Sequence, residues 1–97
     1  MGHDIFGFKT KRSRTQIAYL RRGAWNSLGR KIYEALKAEK FDAGCSGCGE
    51  KETFTKVQLL EALDYLRDDD ELEPERDFIS DCLANLNKDD RIVILFG

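Results

Sequence analysis

The first apolar positions of the chain come in short segments that favour β-strands. Residues 4–8 are mostly aromatic and β-branched, and residues 15–21 mix apolar with polar side chains. Residues 9–14, which separate the two segments, carry four charges and no apolar side chain, as is typical of a loop. The pattern predicts an antiparallel β-hairpin with a basic tip.

After Gly23 the apolar spacing becomes helical. Trp25, Leu28, Ile32 and Leu36 recur at three- and four-residue intervals, which predicts an amphipathic helix from residue 24 to residue 39 or 40. An aromatic residue at such a position usually belongs to the core, so we expect Trp25 to be buried. The alternative is that the arginines and aromatic residues of segment 19–26 bind a phosphate or a base.

The second helix has a well-defined start. Thr55 followed by Gln58 forms a capping box, and Phe54 and Leu59 flank it as a hydrophobic staple. The expected apolar stripe of this helix is Leu59, Leu60, Leu63 and Leu66, with the acidic run 68–71 as its solvated end.

A third helix and a final strand complete the pattern. Pro74 suits a first helical turn, and Phe78, Ile79, Cys82, Leu83 and Leu86 then repeat at helical spacing. Residues 92–96 form an unbroken apolar run typical of a buried strand. The predicted fold is therefore a single α+β domain over residues 1–97, in the order β-β-α-α-α-β, with a small, mainly antiparallel sheet packed against three helices.

Composition narrows the class of protein. With 41% hydrophobic and 35% charged residues in 97, a folded domain is expected rather than a disordered chain. The apolar runs are far shorter than the roughly 20 residues of a membrane span, and the N-terminus lacks a basic-then-apolar leader. We therefore expect a cytoplasmic protein without a membrane partner.

Charge is divided unevenly along the chain, although the net charge is only −2. Residues 1–40 contain 10 basic and 3 acidic residues, whereas residues 41–97 contain 6 basic and 15 acidic ones. The basic part could bind nucleic acid or another anion. Alternatively, the two parts attract each other within or between chains. The net negative charge favours this interpretation, because a nucleic-acid-binding domain is usually basic overall. The candidate anion-binding residues are Lys11, Arg12, Arg14, Arg21 and Arg22.

A glycine-rich loop at residues 44–49 contains the motif Cys45-x-x-Cys48. Two thiolates at this spacing could hold zinc, and the string is similar to one knuckle of a zinc ribbon. The chain has no second knuckle, so further ligands would have to be Cys82 and His3, or come from a second chain. A thioredoxin-like redox role is less favoured, because no strand precedes the motif and no helix begins at it. Ordinary free thiols in a reducing cytosol remain the simplest interpretation.

No catalytic motif accompanies these features. The single histidine offers no Ser-His-Asp arrangement, and the chain lacks a phosphate-binding loop of the G-x-x-x-x-G-K-[ST] type. We therefore expect no enzymatic activity and no cofactor, with zinc as the alternative.

The opening residues, from Met1-Gly2-His3-Asp4 through Ile5-Phe6-Gly7, carry a family resemblance. Together with Tyr19-Leu20-Arg21, Trp25 and the position of the 44–49 loop, they resemble a loose group of short bacterial and phage proteins that begin M-G-x-D-[IV]-[YF]-G. The resemblance implies a phage or mobile-element origin and no particular activity. In that group the loop need not carry cysteines, and several tryptophans often occur where this chain has one.

Three functions are therefore compatible with the sequence. The favoured one is a small non-enzymatic accessory protein that binds a protein partner or itself, through complementary charge or an uncovered sheet edge. Residues 92–96 are the expected edge strand if they do not lie at the centre of the sheet. The second is a zinc-stabilised nucleic-acid-binding module, and the third is a thiol-disulfide redox protein.

Overall fold

The computed structural model describes residues 2–97 and contains one four-stranded sheet. All its neighbouring strands are antiparallel, in the spatial order β2-β1-β4-β3. The predicted α+β class is confirmed, as are the N-terminal hairpin and the final strand. The strands are β1 (Gly2–Phe8), β2 (Ala18–Gly23), β3 (Glu50–Thr55) and β4 (Arg91–Phe96).

Three α-helices and three short 3₁₀ turns connect the strands. The α-helices are α1 (Lys31–Ala35), α2 (Lys56–Leu66) and α3 (Glu73–Ala84). The 3₁₀ turns are Ser27–Arg30, Glu39–Phe41 and Asp70–Leu72. Within the described part of the chain, no helix has both the length and the apolar character needed to cross a membrane.

The core lies between the helices and one face of the sheet, which we call the covered face. Side chains alternate along each strand, so Ile5, Leu20, Phe54 and Phe96 are all buried on this face. Phe96 is fully buried, and its ring stacks on the Phe41 ring at a centroid distance of 4.9 Å. The last side chain of β4 thus anchors the segment between α1 and β3.

Strand β3 is an element that the hydrophobic pattern does not reveal. It lies at one edge of the sheet, and its first three residues, Glu50, Lys51 and Glu52, are charged. An edge strand can carry such residues because one of its sides is solvated, and they discourage pairing with other chains. Its formation places β4 inside the sheet, so the edge strands are β2 and β3 and not residues 92–96.

The first predicted helix is much shorter than expected. Only Lys31–Ala35 is α-helical, because Lys37 adopts a left-handed conformation (φ 55°). The amide of Ala38 donates to the Tyr33 carbonyl and that of Lys37 to the Glu34 carbonyl, which closes the helix as a Schellman motif.

The expected burial of Trp25 is wrong. Its side chain is 93% exposed, because the residue lies in the turn before the 3₁₀ segment and not on a helix. Asn26 caps that segment by accepting a hydrogen bond from the Leu28 amide (2.9 Å), so the helical register starts too late to bury the indole.

The other two helices begin as predicted. The capping box of α2 is complete: Thr55 Oγ1 accepts from the Gln58 amide (3.2 Å), and Gln58 Oε1 accepts from the Thr55 amide (2.8 Å). In α2, Leu59 and Leu66 are buried, but Leu60 is 47% exposed. Pro74 lies in the first turn of α3, and Phe78, Ile79 and Cys82 are buried as expected.

Candidate functional site

The second face of the sheet carries no helix in the described chain, and we call it the open face. Alternation along the four strands places aromatic, aliphatic and cationic side chains there. Its central members come from β1 and β4, and its basic members come from β2, β3 and β4. The residues are Asp4, Phe6, Phe8, Tyr19, Arg21, Lys51, Thr53, Thr55, Arg91, Val93 and Leu95.

Three aromatic rings form a continuous row across this face. The Phe6 ring lies 5.1 Å from the Tyr19 ring and 6.4 Å from the Phe8 ring, measured between centroids. Phe6 and Phe8 are partly exposed, and Tyr19 is 46% exposed. A row of accessible rings on a sheet offers flat surfaces against which other planar groups can stack.

One end of the row is fixed by a charged network. Arg21 donates to both Asp4 carboxylate oxygens (2.7 Å each), and the Tyr19 hydroxyl donates to Asp4 Oδ1. The hydrogen bonds from Arg21 and Tyr19 hold the pKa of Asp4 below its usual range. The hydrogen bond between Tyr19 and Asp4 also raises the pKa of Tyr19. The carboxylate is thereby neutralised by Arg21, whose side chain is still 51% exposed.

The other end of the row adjoins the basic hairpin loop, residues 9–17. Lys51 Nζ lies 5.2 Å from the Phe8 ring centroid and donates to the Lys11 carbonyl (3.1 Å). Lys11, Arg12 and Arg14 are exposed in this loop. The structure therefore brings three of the predicted anion-binding residues to one end of the open face, with Arg21 at the other.

Arg22, the fifth predicted residue, points to the covered face. It donates to both carboxylate oxygens of Glu75 (2.7 and 2.6 Å), and Glu75 is fully buried. This hydrogen bonding raises the pKa of the Arg22 guanidinium. Arg22 therefore joins β2 to α3 and is not available to an external anion.

Glu75 is a structural residue that the sequence analysis missed, although a signal exists. It lies three residues before Phe78 and four before Ile79, so it continues the buried stripe of α3. A carboxylate at such a position requires a charged or hydrogen-bonding partner, and the chain supplies Arg22.

The glycine-rich loop closes the end of the sheet through its backbone. The amides of Gly47 and Gly49 donate to the carbonyls of Gly97 and Phe96 (2.8 and 2.7 Å), so they do not point towards thiolates. A Cβ at Gly47 would overlap the Phe96 carbonyl, which accounts for glycine there. Cys45 is partly exposed, and Cys48 is exposed.

The possible zinc ligands are not assembled. Cys82 is buried beneath Gly7, where burial raises the pKa of its thiol to about 12. His3 is buried, its Nε2 donates to the Gly44 carbonyl (3.1 Å), and its Nδ1 forms a hydrogen bond with the Tyr33 hydroxyl (2.8 Å). Over residues 2–97, no group of three or more His, Cys, Asp or Glu side chains could hold a metal ion.

Acidic residues are concentrated in the helical layer. Residues 56–84, from α2 to α3, contain ten acidic and three basic residues. Among the described strand side chains of the open face, Asp4 is the one acidic residue. The acidic turn at residues 87–90 contacts the hairpin loop, because the Asn87 side chain donates a hydrogen bond to the Lys9 carbonyl (2.8 Å). Most acidic residues therefore lie on the helical side of the sheet, although the first helical segment on that side also carries Arg30, Lys31, Lys37 and Lys40.

In comparisons with known proteins, no protein-family model, no curated protein and no solved structure matches the chain. The resemblance of its opening residues to short bacterial and phage proteins stays a prediction.

Proposed function

We propose that the protein binds single-stranded nucleic acid on the open face of its sheet. The observation that carries this proposal is the aromatic row Tyr19-Phe6-Phe8 on a face lined by cations. Sheets with exposed aromatic residues recognise unpaired bases by stacking, and nearby Lys and Arg side chains contact the phosphates. Neither zinc nor a redox-active thiol pair is part of the proposal.

The rings supply the surface for bases. A base offers a flat π-face whatever its identity, so stacking on this row tolerates many sequences. Duplex bases are already stacked on one another, and their flat faces are not accessible. We therefore expect single strands to bind more tightly than duplexes of equal length.

The cations supply the affinity for phosphates. Arg21, Lys51 and Arg91 lie on the open face, and the exposed basic residues of the hairpin loop continue the positive surface beyond Phe8. The acidic helical layer lies behind the sheet, so a bound polyanion is separated from most of the negative charge. The net charge of −2 is therefore compatible with this function.

Fluorescence anisotropy with labelled oligonucleotides of about 12 nucleotides, within the site sizes of small single-strand-binding domains, tests the proposal. The expected result is binding of single-stranded RNA or DNA that weakens as salt rises, with a slope of about −2 to −3 for contact with about four phosphates. Absence of binding at about 100 µM protein in low salt would reject the proposal, because the affinity would then be weaker than that of ordinary non-specific binding.

A matched pair of tyrosines locates the binding surface. Tyr19 on the open face and Tyr65 on α2 are similarly exposed, 46% and 54%, and each donates a hydrogen bond to a carboxylate. We expect Tyr19→Leu to weaken binding about tenfold because one stacking surface is lost. Tyr65→Leu should leave affinity unchanged, and equal losses for both variants would place the site elsewhere.

Self-association is a second candidate function, favoured by the opposite charges of the open face and the helical layer. Two copies could pack the open face of one against the acidic helices of the other, a head-to-tail contact that forms rings or open filaments. Native mass spectrometry of the protein alone separates the two functions. Oligomers that dissociate in salt and bind no oligonucleotide would support self-association.

A further inference from the structure

Trp25 is the chain's single tryptophan, and it contributes almost nothing to the core. With 93% of its side chain exposed, it is the most exposed large apolar residue of the described chain. The fold does not require an indole at this position, so its large flat surface is free to contact a ligand.

The backbone on either side of Trp25 is held by hydrogen bonds. The Asn26 amide donates to the Gly23 carbonyl (3.1 Å), and the Gly29 amide donates to the Asn26 carbonyl (2.9 Å). Gly29 is buried, and a Cβ there would contact Arg22 and His3 at 3.4 Å. The indole is therefore presented from an anchored turn.

A groove of about 550 Å³ lies beside the indole. Besides Trp25, it is lined by His3, Asn26, Ser27, Arg30 and Cys45. Its volume lies within the range of sites that hold small molecules or single nucleotides. Arg30 is 72% exposed at its side chain, and its contact with Asp42 is only a long one of 3.8 Å, so its guanidinium remains accessible to a phosphate.

The groove lies near the end of β2, the strand that carries Tyr19 and Arg21 on the open face. Trp25 follows the last residue of β2, Gly23, by two positions, which limits their Cα separation to about 7 Å. A single strand that passes Tyr19 and Arg21 along β2 would therefore reach the indole next.

We propose that the Trp25 groove is a subsite for one base of the bound strand, with the base stacked on the indole and a flanking phosphate contacted by Arg30. This inference rests on the proposed function and adds a defined end to the binding path. The ligand class is an unpaired nucleotide that extends beyond the aromatic row of the open face.

Because the chain has one tryptophan, fluorescence excited at wavelengths that tyrosine does not absorb reports on this subsite alone. Titration with oligothymidylate or oligouridylate of about 12 nucleotides should quench Trp25 in parallel with the anisotropy change. Oligomers of about 4 nucleotides, the lower end of such site sizes, should show weaker quenching for the same occupancy, since they can fill the aromatic row without reaching the groove.

Substitution at Trp25 completes the test. Trp25→Leu should weaken binding of the longer oligonucleotide about tenfold, and Trp25→Phe should restore most of the affinity by supplying a ring. Tyr65→Leu serves as the control. Thermal melting of both Trp25 variants should match that of the original chain, because the indole makes no core packing.

The failure of this inference can be distinguished from failure of the proposed function. If oligonucleotides bind and Tyr19→Leu weakens binding, but Trp25 fluorescence and the affinity of Trp25→Leu are unchanged, the subsite is rejected and the open face remains. If no oligonucleotide binds at all, both proposals are rejected. A shift of Trp25 fluorescence with protein concentration alone would instead assign the indole to a contact between copies.

Discussion

The two faces of one sheet differ in what their aromatic and charged residues do. On the covered face, Phe96 is buried against aromatic rings and the largely buried Arg22 is paired with Glu75 of α3, so both hold the fold together. On the open face, Phe6 in the neighbouring strand β1 and Arg21, the residue before Arg22, remain accessible. The same residue types therefore serve stability on one face and are accessible to solvent on the other.

Replacing a phenylalanine on each face should give the largest difference in stability. Phe96→Ala should lower the free energy of unfolding by about 4 kcal/mol, because it leaves a cavity among the Tyr33, Phe41 and Phe54 rings. Phe6→Ala should cost clearly less, since Phe6 is partly exposed, yet it should weaken oligonucleotide binding. Urea denaturation of both variants measures this contrast, and equal losses of stability would contradict the assignment of the two faces.

Neighbouring arginines sharpen the comparison. Arg22→Met should destabilise the fold by about 3 kcal/mol, since it leaves the buried Glu75 carboxylate without its partner. Arg21→Met on the open face should cost much less in stability while reducing nucleic-acid affinity. Adding Glu75→Leu to Arg22→Met should recover most of the loss, because an apolar pair of similar volume replaces the ion pair. No recovery in this double variant would show that the ion pair is not the cause.

The covered face should also show an alkaline limit. Burial raises the pKa of Cys82 from 9.0 to about 12, so the folded state keeps the thiol protonated. The resulting stability is complete below pH 9 and decreases as pH rises towards 12, by at most about 1.4 kcal/mol per pH unit. The difference between the original chain and Cys82→Ala in unfolding at pH 7 to 10 isolates this contribution. Parallel curves across that range would exclude it.

The open face should show a smaller effect at the opposite end of the pH scale. Arg21 and Tyr19 lower the pKa of Asp4 below its ordinary value of 3.8, so its contribution is present above that value and is lost as pH falls through the folded pKa. Asp4→Asn should therefore lower stability slightly at neutral pH, with the two curves converging in acid. The same variant should bind oligonucleotides somewhat more tightly at pH 7, because a negative charge leaves the face.

Several elements could be predicted because their signals are local. The capping box at Thr55 and Gln58, the first turn at Pro74 and the helical spacing from Phe78 to Cys82 each depend on residues within one or two turns. Strand β3 could not be predicted, because its stability comes from pairing with β4, a strand 36 residues further along the chain. Trp25 was misplaced for a different reason: the Asn26 cap is a local signal, but the apolar spacing from Trp25 to Leu36 was given more weight, and the 3₁₀ segment begins only after the indole.

The candidate site shows the same division. The sequence identified the basic residues of the hairpin and their contrast with the acidic C-terminal part. It favoured mutual attraction because the net charge is −2, whereas a nucleic-acid-binding domain is usually basic overall. In the structure, Arg22 of the basic N-terminal part pairs with Glu75 of the acidic C-terminal part, whereas Arg21 pairs with Asp4 within the N-terminal hairpin. Which arginine is internal and which is accessible depends on the alternation of a strand whose register is set by its neighbours.

By itself, the sequence determined the α+β class, the hairpin, the starts of α2 and α3 and the unequal distribution of charge, all of which follow from composition and short-range spacing. Only the tertiary structure decided that one sheet face stays open, that Tyr19, Phe6 and Phe8 form a row on it, and that the acidic helices lie behind it. The physical reason is that these arrangements depend on antiparallel pairing between distant strands. Such pairing brings together side chains that are far apart in the sequence, so local sequence patterns do not predict their contact.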